Sequence, residues 1–409
     1  DAQESRGLGD VYKRQLFRFE DPQTGANLSE RERRLLVGAL NFHALMAPQR
    51  TLRIHLYDGS VETTPRLTDD STFDGLSRNN RHRIESFDIV SSVSVEEREP
   101  ELTEAASARL VASPARHLHV SSDGVLDSDP YRPQRPGLIG GIARSVKSRA
   151  PLLYDDARDL SLLRFRRKLT TAIEPRDYEA EFRRGGAHED EVIVPAGPTL
   201  EGAQKAVIIG LHWFELGGAE LWAFETVRLV REAGLLPIVL TNRDSHQPWV
   251  TRPELDGALL IPFSEPTVQS QTAGVEPLLR SLLRPFDVRG VVIHHNQWLY
   301  DRVAWIAASR PGIPIIDSTH IVEYTGGGYP LSSAIASKSI TTHHVISPSL
   351  ARWMTDVQRI PADRVVMAPL GGLTVKPKDA VFRPRAAGEQ FTVAVSYTHL
   401  RAHETPEHL

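Results

Sequence analysis

Ala206-Val-Ile-Ile-Gly-Leu-His212 runs straight into Trp213-Phe-Glu-Leu-Gly-Gly-Ala-Glu220, and this junction decides the fold. A continuous apolar run of that length marks a strand buried on both faces. The Gly217-Gly218 pair then turns the chain, a helix is expected over Ala219 to Ala233, and Gly234 stops it at the position after the cap. The rhythm repeats downstream. Strands are expected at Leu236–Thr241, Ala258–Phe263, Val288–His294, Ile313–Asp317, His344–Ser347 and Arg364–Ala368. Helices are expected at Val275–Leu283, Trp298–Ser309, Ser332–Ser339 and Ser349–Val357, the last opened by Pro348. Strands alternating with helices every roughly 20 to 30 residues imply an α/β protein with a doubly wound parallel sheet. In such sheets ligands sit at the carboxyl ends of the strands, which selects the loops that matter.

Working outward, the region before residue 200 has a different character. Asn27 or Ser29 can cap a helix over Glu30 to Met46, Thr51–Tyr57 alternates like a strand, Phe87–Val95 is a second strand candidate, and Leu102–Ala112 reads as a helix. Residues 16–120 are therefore expected to form a small α/β region of unassigned role, with a linker-rich, turn-rich stretch over 121–200. Ser5–Gln15 and Val395–Thr405 resemble two strands of one sequencing adapter in translation, so residues 1–15 and 395–409 are set aside as artefact. On that reading the natural chain is expected to extend beyond both ends.

Composition narrows the function classes. The chain has 409 residues, a formal charge of −4 and no cysteine. The missing cysteines exclude disulfides, thiolate metal sites and cysteine nucleophiles. No strong basic surplus points to a nucleic-acid partner, and no apolar run approaches the roughly 18 residues of a spanning helix. Arg164, Arg166, Arg167 and Lys168 form either a solvated face or a surface for peripheral contact with a membrane or charged acceptor.

Three loops can carry chemistry. Gly217 and Gly218 at a helix start suit either an anionic group or merely a tight turn. They are not part of Gly-x-Gly-x-x-Gly, and Thr241-Asn242 ends the second strand without an acidic residue, which counts against a dehydrogenase. In Ile293-His-His-Asn-Gln-Trp298 the adjacent His294 and His295 alternate faces, so only one can enter a cleft. No third ligand at useful spacing supports a metal there. In Asp317-Ser-Thr-His-Ile-Val-Glu323, His320 sits among hydroxyls and carboxylates, able to bond a sugar hydroxyl or phosphate, or to serve the core. Thr325-Gly-Gly-Gly-Tyr-Pro330 reads as a flexible loop bearing Tyr329.

Taken together, these blocks resemble family 4 glycosyltransferases. Phe214–Glu220 is similar to that family's Gly-Gly-Ala-Glu loop, Ser318-Thr-His320 to its Thr-His segment, and Val345-Ile-Ser-Pro-Ser349 with Ile360–Gly372 to its "V-S-x-S … P-x-x-R-V-x-V-I-P-N-G-V" run. Leu370 stands where the family usually has asparagine. The resemblance implies a GT-B fold, with residues 201–375 as its N-terminal Rossmann-like, acceptor-side domain. It implies a nucleotide sugar as donor substrate, a glycan, lipid carrier or small acceptor as partner, transfer with retention, no bound cofactor or metal, and a cytoplasmic enzyme of polysaccharide biosynthesis. It casts His320 as catalytic. Gly217, Gly218, Glu220, His295, Asn296, Thr319, Glu323 and Tyr329 become substrate-binding, and Gly371 and Gly372 the inter-domain hinge.

The family's donor domain, with its Glu-x7-Glu signature, is expected to start at Phe391–Ala394 after a hinge over 376–390, and to be cut there. The Glu181/Glu189 pair has that spacing by accident. The chain as it stands is therefore expected not to transfer sugar. Two other readings stay open: a glycan-binding GT-B relic without turnover, and a nucleotide-sugar epimerase of GT-B shape.

Overall fold

The computed structural model describes residues 15–21, 23–58, 82–94, 115–120, 145–175, 195–243, 245, 247–263, 275–323 and 327–370. The helix expected over 102–112, the strand at 391–394, the Glu181/Glu189 pair, Gly371, Gly372 and both end segments apart from Gln15 lie outside them.

The chain opens with a four-stranded mixed sheet of β1 (Phe17–Phe19), β2 (Thr51–Asp58), β3 (His82–Ser91) and β4 (Ala115–Val120), in the order β1-β3-β2-β4. β3 starts earlier and ends earlier than the expected Phe87–Val95, and β1 and β4 are too short to stand out by pattern. Between β1 and β2 runs α1 (Glu30–Met46), started by a capping box. The Ser29 hydroxyl accepts from the Glu32 amide, and the Glu32 carboxylate accepts from the Ser29 amide at 2.7 Å.

α1 is buried almost all round because it has two partners. One side packs on the four-stranded sheet and the other on the parallel sheet, in one continuous apolar cluster. Gly38 marks the closest approach, since a Cβ there would lie 2.6 Å from Pro262 Cδ. Asn41 bridges the two layers, accepting from the Leu16 amide and donating to the Leu260 carbonyl. Each fully buried leucine, such as Leu36, Leu40 or Leu45, contributes roughly 1.5–3 kcal/mol to holding this region on the sheet.

The linker-rich stretch contains an element that the sequence pattern did not reveal: α2 (Pro151–Lys168), an 18-residue helix that is exposed over most of its length. The parallel sheet then follows: β5 (Gln204–Leu211), α3 (Gly218–Glu232), β6 (Leu236–Thr241), β7 (Leu259–Pro262), α4 (Val275–Leu283), β8 (Phe286–His294), α5 (Gln297–Tyr300), α6 (Val303–Ser309), β9 (Ile315–Thr319), α7 (Gly328–Ile335), β10 (Thr342–Val345), α8 (Pro348–Arg352) and β11 (Val365–Met367). All seven strands are parallel, in the order β7-β6-β5-β8-β9-β10-β11. Counted from β5 this is 3-2-1-4-5-6 with a seventh strand added, the order of a Rossmann-like sheet. Alternate residues of β5 feed opposite faces: Ala206 and Ile208 join the α1 side, while Val207 and Ile209 join the α3 side. Both faces are covered, as an all-parallel sheet requires.

Several boundaries move, each for a local reason. The single helix expected over Trp298–Ser309 is two, broken at Asp301-Arg302. β9 runs on through Ser318 and Thr319, leaving His320 as the first residue beyond it. β10 shifts to 342–345, which brings both His343 and His344 into the strand. The last helix gives way after Arg352 to a π-helical turn over Trp353–Val357, and its cap is Ser347, with Pro348 as the first helical residue.

Candidate functional site

The order of the parallel sheet reverses direction between β5 and β8; such a switch point is where a parallel sheet forms its ligand crevice, outside the strands' carboxyl ends. The loop leaving β5 forms one wall. It is pinned from below: the Gln247 carboxamide accepts from the Phe214 amide at 2.6 Å, and the Trp249 amide donates to the Phe214 carbonyl. Phe214 is fully buried as a result. Above it Gly217 is the N-cap of α3 and Gly218 its first helical residue.

The two glycines are there for different reasons. Gly217 is extended (φ −166°), so its backbone does not demand glycine. Space does: a Cβ would lie 2.0 Å from the Glu220 carboxylate, which folds back over the helix start. Gly218 faces open space. Glu220 is buried, and its Oε1 is 3.1 Å from His212 Nε2. Burial dominates the electrostatics of both groups. It pushes the Glu220 carboxyl up to about 7, helped by Glu215 and opposed by a main-chain hydrogen bond. It drives His212 down to about 3, with the Arg243 guanidinium adding to the effect. At neutral pH this is a contact between a neutral imidazole and a carboxyl near its midpoint, not a salt bridge.

The opposite wall comes from β8, β9 and α7. His295 follows β8 in a left-handed conformation (φ 55°), a strain of about 1 kcal/mol that aims its ring away from His294. The His295 ring stacks on Tyr329, with centroids 4.6 Å apart and planes within 7°, and meets His320 edge-on at 4.7 Å. His212 lies 6.1 Å from both His295 and Tyr329. His294 turns the other way, towards Trp222 of α3.

Every imidazole in the group is held neutral by burial first and by its neighbours second: His294 falls to about 3, His320 to about 4, and His295 well below its usual value. Burial likewise raises the Tyr329 phenol. Thr241 Oγ1, Asn242 Oδ1, His212 Nδ1, both His294 nitrogens, Thr319 Oγ1 and His320 Nε2 are buried without a hydrogen-bond partner among the described residues. All lie at or just past strand carboxyl ends. Buried polar atoms are normally paired, so this concentration marks an edge suited to a polar ligand.

No protein-family model matches the chain, and a search of curated proteins finds no match.

Gly217, Gly218, Glu220, His295, Thr319, His320 and Tyr329 thus converge on one crevice. Asn296 does not line it. Its carboxamide donates to the Leu211 and Leu240 carbonyls and accepts from the Leu299 amide, stitching β5 and β6 to the head of α5. Glu323 is exposed at the rim and pairs by backbone with Gly327. Gly327 and Gly328 are both left-handed (φ 77° and 63°), and a Cβ on Gly328 would press on Glu323. Tyr329 and Pro330 therefore belong to the first turn of α7, not to a loop, and the first turn is where a helix tolerates proline.

Four contributors escaped sequence reasoning: His212, Trp222, Arg243 and Tyr300. His212 had the legible signal, a histidine ending an apolar strand at the switch point. Below the crevice, Asp317 is fully buried. It accepts from Tyr300 at 3.1 Å and lies 3.1 Å from His343, which also meets Ser333 of α7 at 2.8 Å. Among the described residues no three His, Asp or Glu side chains are placed to hold a metal.

Proposed function

We propose that residues 201–375 are the acceptor-side domain of a GT-B glycosyltransferase, similar to family 4, moving a sugar from a nucleotide sugar to a glycan, lipid carrier or small acceptor. The observation that supports the reading is the set of groups brought together at the carboxyl edge of the sheet. At the switch point a helix N-terminus, able to receive a phosphate, faces a wall of uncharged imidazoles and a tyrosine, able to receive sugar hydroxyls. Neutral imidazoles both donate and accept hydrogen bonds, as a hydroxyl-rich ligand needs. Arg243 at the rim supplies positive charge towards the same mouth.

In this reading His320 contacts the transferred sugar or the acceptor, His295 and Tyr329 form its flat platform, and Gly217, Gly218 and Glu220 set the phosphate position. The chain's share of the chemistry is to orient substrates and exclude water around the leaving diphosphate.

Ligand-observed NMR with inorganic pyrophosphate, nucleoside diphosphates and soluble mono- and oligosaccharides tests it. Saccharide signals that weaken roughly tenfold or more in His320→Ala and in Tyr329→Ala, with folding intact, are expected. A chain that binds neither saccharide nor diphosphate at millimolar concentration would sink the assignment.

A further inference from the structure

We propose that Asp317, His343 and Ser333 are positioning residues: together they hold α7 at one rotation and so fix Tyr329 in the saccharide wall of the crevice. All three side chains are fully buried. Ser333 lies one helical turn after Tyr329, on the same face of α7. Its hydroxyl is 2.8 Å from His343 Nδ1, and the same nitrogen is 3.1 Å from Asp317 Oδ1. The other carboxylate oxygen accepts from the Tyr300 hydroxyl at 3.1 Å, and the Tyr300 ring returns to Tyr329, with centroids 6.3 Å apart. The circuit of contacts starts and ends at Tyr329. Asp317 pairs in register with His343 across β9 and β10, so the anchor belongs to the sheet and not to a loop.

Helix α7 needs such an anchor. It starts from Gly327 and Gly328, both left-handed, the residue type that constrains the chain least. Ser332 donates to Gln297 Oε1 of α5 at 2.6 Å and holds the helix from a second side. Apolar contacts alone would let so short a helix turn on its axis, whereas hydrogen bonds are directional and fix the angle.

Stability is not what three polar groups supply here. Asp317 Oδ1 and His343 Nε2 have no hydrogen-bond partner among the described residues, and apolar side chains of similar volume are often as stable in such a place or more so. Nucleophilic use is excluded as well. Ser333 and Asp317 meet the same imidazole nitrogen, where a catalytic triad needs one on each, and no solvent reaches the serine. What remains is the setting of geometry. His320 follows three residues after Asp317, just beyond the end of β9, so one buried centre ties down both sugar-facing groups, Tyr329 through α7 and His320 through its strand. The saccharide half of the inference rests on the glycosyltransferase reading; the anchoring of Tyr329 does not.

Two variants of the full chain test it. His343→Leu fills the space and removes both contacts, while His343→Asn can place an N–H near the position of Nδ1. Circular dichroism and a urea midpoint check folding. Site-resolved nitration by tetranitromethane reads the exposure of the Tyr329 phenol without ligand, and ligand-observed NMR reads soluble saccharides and pyrophosphate. In His343→Leu, Tyr329 is expected to nitrate several times faster and saccharide binding to weaken roughly tenfold, with pyrophosphate binding at the head of α3 unchanged. His343→Asn should restore both. The proposal is overturned if a folded His343→Leu keeps parental nitration or saccharide affinity, if saccharide and pyrophosphate binding fall together, or if His343→Asn restores neither. Should His343→Leu not fold, Ser333→Ala, which deletes a single hydroxyl, is read against the same expectations. A parent chain that binds no saccharide sinks the glycosyltransferase reading, and nitration alone then decides the anchoring.

Discussion

Replacing Glu220 by glutamine is expected to remove a pH dependence from the stability of the whole domain. Burial raises the Glu220 carboxyl from 4.5 to about 7. Between those values the folded chain keeps a proton that the unfolded chain has released, so stability falls as pH rises, and the full cost is reached above about 7. A gap of roughly two and a half units at about 1.4 kcal/mol each comes to about 3 kcal/mol. Glutamine fills the same space and cannot ionise. Urea unfolding followed by tryptophan fluorescence at about pH 5, 6, 7 and 8 gives the stability of each protein. The quantity of interest is the difference between parent and Glu220→Gln at each pH, in which contributions from other titrating groups cancel. That difference should move by about 3 kcal/mol in favour of the variant from the lowest to the highest pH. Parallel curves would refute the reasoning, because they would mean that Glu220 ionises as in water and that the crevice is not dry.

Gly217→Ala should reproduce that loss of pH dependence, because the new Cβ expels the Glu220 carboxylate from the helix start. Gly218→Ala, facing open space at a first helical position, should be neutral to slightly stabilising, by up to about 1 kcal/mol; paired melts of the two variants check both. Asn296→Ala should cost about 2–4 kcal/mol by leaving the Leu211 carbonyl and Leu299 amide buried and unpaired, measured by urea unfolding. On the acid side His43, His212 and His294 at about 3 and His320 at about 4 are neutral in the folded chain where the unfolded chain takes up protons. Their stability is whole above 6.5 and is lost at about 1.4 kcal/mol per imidazole per pH unit below it. A fluorescence titration should therefore show acid unfolding near pH 5, and a midpoint below about 4 would contradict the burial of these four imidazoles.

The parallel sheet was legible because its strands are buried on both faces. Runs such as Ala206–Leu211 and Val288–His294 have no polar side to confuse the pattern, and glycines punctuate the turns. α2 was not legible for the opposite reason. Its leucines occupy both the inward and the outward side, so no single apolar stripe emerges. α1 was found as a helix, but its all-round burial gives no hint that it belongs to two sheets at once. At the site, residue type and position at a strand end picked out Glu220, His295 and His320. They also picked out Asn296, whose carboxamide the structure places in a helix cap and between two strand carbonyls. Only the three-dimensional register shows that the Leu211 and Leu240 carbonyls have already claimed it.

The crevice also explains why its histidines and its one buried carboxylate belong together. Three imidazoles in ring contact, His212, His295 and His320, cannot carry charge side by side, and burial keeps each neutral in turn. A neutral wall gives up electrostatic attraction for phosphate, so any pull on an anion has to come from the head of α3 and from Arg243. Glu220 sits at that head, and its charge state decides whether the position repels or accepts an anion. Below about 7 the carboxyl is largely protonated, the helix dipole is unopposed and a diphosphate can approach; above it, carboxylate and phosphate compete for the same amides. Pyrophosphate affinity should therefore fall as pH rises from 6 to 8 in the parent and stay level in Glu220→Gln. The same substitution thus reads both the dryness of the crevice and its ligand.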